Sequence, residues 1–202
     1  MRVSQFVGCK ALICPDVKHD RYVVPNVKVK PETISIAMIS EAAPENAADY
    51  YYYAKGDSLF QRTTVEAFRQ AGVGVSSVQD ILDRGVYLTT AVKCAKKNAM
   101  IQSDTIRECS NLLEKELRLF PNLKVVMLMG DVAIKALNYI GQRAGEKRVI
   151  PAGSTYKIRG SKYFFGKMRV FPSYLQAGPS FFIEKSKRRM IAEDIAAALK
   201  VV

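Results

Sequence analysis

Apolar positions along the chain follow two rhythms: short continuous runs, and longer stretches with an apolar residue every third or fourth place. The first rhythm marks buried strands and the second amphipathic helices. Ile34 to Ile39 is a short apolar run with β-branched residues, which predicts a strand ending in the turn-prone Ser40-Glu41-Ala42-Ala43-Pro44-Glu45-Asn46. Ser58 to Gln70 has helical character and stops at Gly72, and Ser76 to Asp83 reads as a short helix opened by a serine cap. Val86 to Val92 predicts a second strand, within an apolar run that reaches Cys94. From Ser103 the spacing of Ile106, Cys109, Leu113, Leu117 and Phe120 predicts a helix with Cys109 on its inward face, broken by Pro121. Lys124 to Met129 predicts a third strand, followed by a helix to about Ile140 with Asp131 as its N-cap. Arg143 to Gly166, rich in Gly, Lys and Arg, reads as a loop with a short hairpin around Tyr156 to Phe165. Val170 and Phe171 predict a last strand, which leads through Pro172 to Ser180 into a long helix from Phe182 to Lys200.

Strands alternating with helices predict an α/β fold, a single-domain three-layer α/β/α sandwich over residues 1–202 with a mainly parallel central sheet. A composition that is 49% hydrophobic allows a continuous core. No run approaches the roughly 20 apolar residues of a membrane span, and the N-terminus lacks the apolar segment of a secretory signal. The expectation is a soluble, cytoplasmic monomer with no membrane partner. A formal charge of +12, from 31 basic and 19 acidic residues, favours a polyanionic partner, with nucleic acid the leading class. The alternative is a basic protein with no such ligand.

The chain has four cysteines: Cys9 and Cys14 in a C-x4-C pair within the N-terminal residues 1–33, then Cys94 and Cys109. A reducing cytosol argues against disulfides. Folding can gather four thiolates from three segments, a set that suits an iron-sulfur cluster or a structural zinc.

Several of these segments together resemble the uracil-DNA glycosylase superfamily, and within it the iron-sulfur-containing bacterial and archaeal branch. The resemblance rests on Thr90-Ala91-Val92-Lys93-Cys94, similar to that branch's Asn-x-x-Lys-Cys, on Arg107-Glu108-Cys109, and on Gly130-Asp131-Val132-Ala133 after an apolar run. It implies a 4Fe-4S cluster held by Cys9, Cys14, Cys94 and Cys109, with a structural role. It also implies DNA as partner, double- or single-stranded and carrying a damaged base, and hydrolysis of the N-glycosidic bond of uracil or another altered base. A catalytically silent DNA-binding protein of the same fold is the alternative.

Ser40-Glu41-Ala42-Ala43-Pro44 resembles the branch's first catalytic loop, so Glu41 is the expected catalytic carboxylate, with Ser40 and Ala42 beside the substrate. A carboxylate near the sugar stabilises an oxocarbenium-like transition state or orients water. Phe60 is the expected stacking ring for an extruded base, with Tyr50 to Tyr53 as rivals. Two departures stand out: Thr90 occupies the place of the base-reading asparagine, and the late His-Pro-Ser motif is matched at best by Gly178-Pro179-Ser180. The single histidine, His19, reads as a surface loop residue. The loop holding Ser173, Leu175, Gly178 and Pro179 has the makings of a DNA-facing wedge centred on Leu175. Lys185, Lys187, Arg188 and Arg189 beyond it suit phosphates, and Lys93, Lys96 and Lys97 add charge beside Cys94.

Overall fold

The computed structural model describes residues 1–53 and 57–202. Its strands are β1 (Val17–Lys18), β2 (Ile36–Ala43), β3 (Val86–Lys96), β4 (Val125–Met129), β5 (Tyr163–Phe165) and β6 (Met168–Ser173). The helices are α1 (Leu59–Gln70), α2 (Val78–Asp83), α3 (Ser103–Leu117), α4 (Asp131–Arg143), α5 (Thr155–Ile158) and α6 (Lys185–Leu199). One sheet takes the order β1-β3-β2-β4-β6-β5. Its four central strands run parallel, and the short edge strands β1 and β5 pair antiparallel.

Alternation along the strands sends side chains to opposite faces. Ala37, Ile39, Val126, Leu128 and Val170 share a core with residues of α3 and α4. Ile36, Met38, Leu88, Val125 and Met127 pack with residues of α1 and α6. The sheet is thus covered on both faces, as the alternating pattern predicts. A third cluster joins Val3, Val7, Val24, Val29 and Ile34 of the N-terminal segment to Tyr87, Leu112 and Phe120. This segment also caps the outer edge of β3 beyond the two-residue β1: Val23 N–H donates to the Lys93 carbonyl at 2.7 Å. Farther along the same edge, Leu88 N–H donates to the Tyr52 hydroxyl at 3.0 Å.

The structure corrects the sequence reading at several boundaries. β2 does not end at Ile39 but carries Ser40, Glu41, Ala42 and Ala43, because parallel pairing with β3 continues to supply backbone hydrogen bonds that far. The register slips between Ala42 and Ala43, so that Ala42 faces Val92 and Ala43 faces Ala95. β3 correspondingly runs to Lys96. The N-cap of α4 is Gly130, and Asp131 is its first helical residue, paired with Lys135 at 2.6 Å. The stretch read as a loop contains α5, and its hairpin is formed by β5 with β6, turning at Gly166 (φ 55°). α6 begins at Lys185, after a 3-10 turn over Pro179–Phe182. Among the described residues no helix is long and apolar enough to cross a membrane.

Candidate active site

β2 stays paired with β4 only as far as Ile39, while its pairing with β3 continues. The strands therefore part at their carboxyl ends, where open α/β sheets hold ligands. A cleft of about 680 Å³ opens there, lined by Ser40 to Glu45, Phe60, Lys96 to Ala99, Leu175 and Ala177 to Ser180. Ser40, Glu41, Ala42, Phe60, Leu175, Gly178 and Pro179 of the sequence-predicted set converge on it.

Glu41 turns toward the start of α4, where the backbone N–H of Val132 donates to its Oε1 at 3.5 Å. Burial pushes its carboxyl above the ordinary range; the Val132 N–H and the charge of Lys96 oppose that shift. Close approach depends on Gly130 (φ 101°), because a Cβ there would lie 2.5 Å from Glu41 Oε1 and 2.8 Å from its Cγ. Only glycine fits that position without moving the carboxylate. Glu41 also lines a smaller recess of about 230 Å³ with Gly130, Thr155, Tyr174 and Phe181.

Beneath the cleft floor lies a hydrogen-bonded chain that the sequence did not announce. Gln176 Nε2 donates to the Tyr51 hydroxyl at 2.9 Å, Tyr51 and Ser40 hydroxyls are 2.7 Å apart, and Ser40 Oγ donates to the Thr89 carbonyl at 3.3 Å. Burial raises the Tyr51 phenol well above its usual value, so the ring stays neutral. These partners are 11 and 125 residues apart in the chain, and no local pattern links them. Phe60 packs at a tilt on Tyr51, with centroids 5.2 Å apart, and presents its ring to the cleft. Tyr50 and Tyr51 are buried, and Tyr52 and Tyr53 half-buried.

The other expected substrate and DNA contacts divide. Thr90 is fully buried, its Oγ1 has no partner among the described residues, and it does not line the cleft. Gly178 is buried with φ 101° and ψ −179°. Side chains rarely adopt that backbone conformation, so Gly178 is required for its backbone, and a histidine cannot stand there unstrained. Ser173 does not face DNA: it is fully buried at the end of β6, its hydroxyl donating to Asp194 at 2.6 Å. Leu175 is half-buried and packs against the core, so it does not project as a wedge. The exposed apolar residues nearby are Phe182 and Ile183. Lys185 and Arg189 are exposed, Lys187 pairs with Glu184 at 2.6 Å, and Arg188 lies over the Phe181 ring.

Away from the cleft, the four cysteines share one neighbourhood. Desolvation raises the Cys94 thiol to about 12, and the charges of Cys109, Cys9 and Cys14 push the same way. Burial likewise raises Cys109 and Cys14. Cys9, Cys14 and Cys109 border a recess of about 320 Å³. His19 belongs here and not at the cleft, with Nδ1 3.9 Å from Cys94 Sγ. Among the described residues no group of three or more His, Cys, Asp or Glu is arranged to hold a metal ion as the side chains stand. The donor chemistry, four convergent thiols from three segments, nevertheless fits a four-thiolate cofactor.

Comparison with known proteins bears on the family. Residues 28–196 match the family model of the uracil DNA glycosylase superfamily. A type-5 uracil-DNA glycosylase of Thermus thermophilus is 30% identical over 95 residues, a match covering 46% of this chain and 43% of that protein. The aligned stretch is thus less than half the length of that relative. Since the family model spans β2 through most of α6, the chain belongs to the uracil DNA glycosylase superfamily.

Proposed function

We propose that residues 1–202 form a single domain that excises uracil or another altered base from DNA by hydrolysing its N-glycosidic bond. The observation carrying this reading is the placement of Glu41, a half-buried carboxylate at the start of α4 that lines a cleft also walled by Phe60. An extruded base enters the cleft and stacks on Phe60. As the bond from C1′ to the base nitrogen breaks, the base leaves with the electron pair and positive charge grows on the sugar. Glu41 stabilises that charge and accepts the proton of the water that attacks C1′. Ala42 and the Ser40–Tyr51–Gln176 chain fix the wall and floor against which the base is held. The exposed Lys185, with Lys187 and Arg188, suits the flanking phosphates, and the exposed Pro179 stands at the cleft beside them.

Release of base from oligonucleotides carrying uracil, hypoxanthine or other lesions tests the proposal. Glu41→Gln should lower the rate by about 10² to 10⁴, and an intact wild-type protein inactive on every lesion would overturn it. Burial of Thr90 away from the cleft supports the second reading, a silent DNA-binding member, because no side-chain amide reads the base from that position. Salt-sensitive DNA binding without product would favour it.

Cys9, Cys14, Cys94 and Cys109 are the residues that would hold a 4Fe-4S cluster, with zinc as the alternative. When bound, such a group cross-links the N-terminal segment to β3 and α3. Iron and sulfide analysis of the brown or colourless protein separates the two.

A further inference from the structure

The positive charge of this protein is not spread evenly. Arg143 to Ile183 contains eight Lys and Arg and one acid, Glu146, a net of +7 out of the chain's +12. Arg143 is paired with Glu114, and Arg159 with Asp194 and Glu193. Lys147, Arg148, Lys157, Lys162 and Lys167 are exposed and have no ion pair among the described residues.

Two aromatic rings stand out in solvent on the same segment. Tyr156 of α5 is 70% exposed and Phe164 of β5 is 55% exposed. Phe164 is held in place: the Arg169 guanidinium lies 5.5 Å from its centroid, and that guanidinium is itself anchored on the carbonyls of Tyr163 and Ser161 at 2.9 and 3.2 Å. The Glu146 carboxylate accepts from Gly166 N–H at 3.4 Å, joining the loop of Lys147 and Arg148 to the hairpin tip. At one end the segment meets the candidate active site, since Thr155, next to Tyr156, lines the small recess shared with Glu41.

We propose that this α5–β5 face binds single-stranded DNA, taking bases on Tyr156 and Phe164 and phosphates on Lys157, Lys162 and Lys167. Exposed rings backed by cations suit unpaired bases, whose faces are free to stack. Paired bases in a duplex are already stacked on one another, so a duplex would engage the lysines alone. The inference rests on the reading of DNA as partner, and it assigns to the protein a preference for an unpaired strand running from the cleft across α5.

Fluorescence anisotropy with a labelled, lesion-free oligodeoxythymidine and a duplex of equal length tests it. Tyr156→Ala and Phe164→Ala should each weaken single-strand binding about tenfold and leave duplex binding unchanged. Replacing Lys157, Lys162 and Lys167 together by Gln should flatten the slope of log K against log salt by about 2. Unchanged melting curves establish that the variants are folded, as expected for exposed positions. Aromatic variants that bind as wild type, or equal losses for single strand and duplex, would overturn the proposal and leave a plain polyanion surface. Glu41→Gln should bind the oligonucleotide normally; an inactive wild type with intact, ring-dependent binding would count against the glycosylase reading alone.

Discussion

Glu41 sits where a carboxylate is unfavourable and useful at once. Burial raises its pKa, so the native state holds the proton more tightly than the unfolded chain. By linkage, the stability this group contributes is present below the ordinary glutamate range near 4.3 and is lost as pH rises through the raised native value. Glu41→Gln should therefore melt higher than wild type at neutral pH, with the difference vanishing in acid. Base release, which needs the ionised form, should rise with pH through a limb above the ordinary glutamate range. Melting and rate profiles of the two proteins between acid and neutral pH check both signs. Gly130 makes the same point from the backbone side: Gly130→Ala both strains a φ of 101° and drives a methyl into Glu41. Loss of base release to near the level of Glu41→Gln, with melting lowered, is the expected result.

At the scale of elements, β3 and α3 are locked by a buried ion pair. Lys93 Nζ bonds Glu116, the Thr89 hydroxyl at 2.8 Å and the Thr90 carbonyl at 2.6 Å. Glu116 also accepts from Tyr87 and Thr89. Both charged side chains are fully buried, so removing one leaves the other stranded in the core. Glu116→Ala should cost about 3–5 kcal/mol of stability, and Lys93→Met with Glu116→Leu together should cost less than either single change, read by urea denaturation. Sequence gave no hint of this pair, because Lys93 reads as another surface cation. The same holds for short elements: two residues of β1 and three of β5 show no period. Long periodic segments were readable, α1 and α3 with Cys109 inward among them. Glu41 reads from the sequence as a loop residue, because turn-prone Pro44 to Asn46 masks a strand extended by its neighbour β3.

For the whole molecule, the thiol neighbourhood is the point where the N-terminal segment, β3 and α3 meet. A group bound there acts as a staple across the fold. Cys94→Ser should lower solubility and melting temperature before it alters base release, checked by iron content alongside calorimetry; a variant that loses metal yet melts as wild type would refute the structural role. The order and flanks of the cysteines carried this site in the sequence. The charge total raises the expectation of a polyanionic partner, and the fold sets one end of the segment that carries the unpaired cations and exposed rings beside the recess of Glu41.

The slip of register between Ala42 and Ala43 leaves Lys93 and Cys94 as extra residues on β3. Since each added or removed strand residue turns every later side chain to the opposite face, the spacing from Thr90 to Cys94 is a matter of counting as much as of chemistry. One residue inserted between Val92 and Lys93 would turn Lys93 away from Glu116, with every side-chain type still present. The chain tolerates an exchange of residues in this segment more readily than the gain or loss of one.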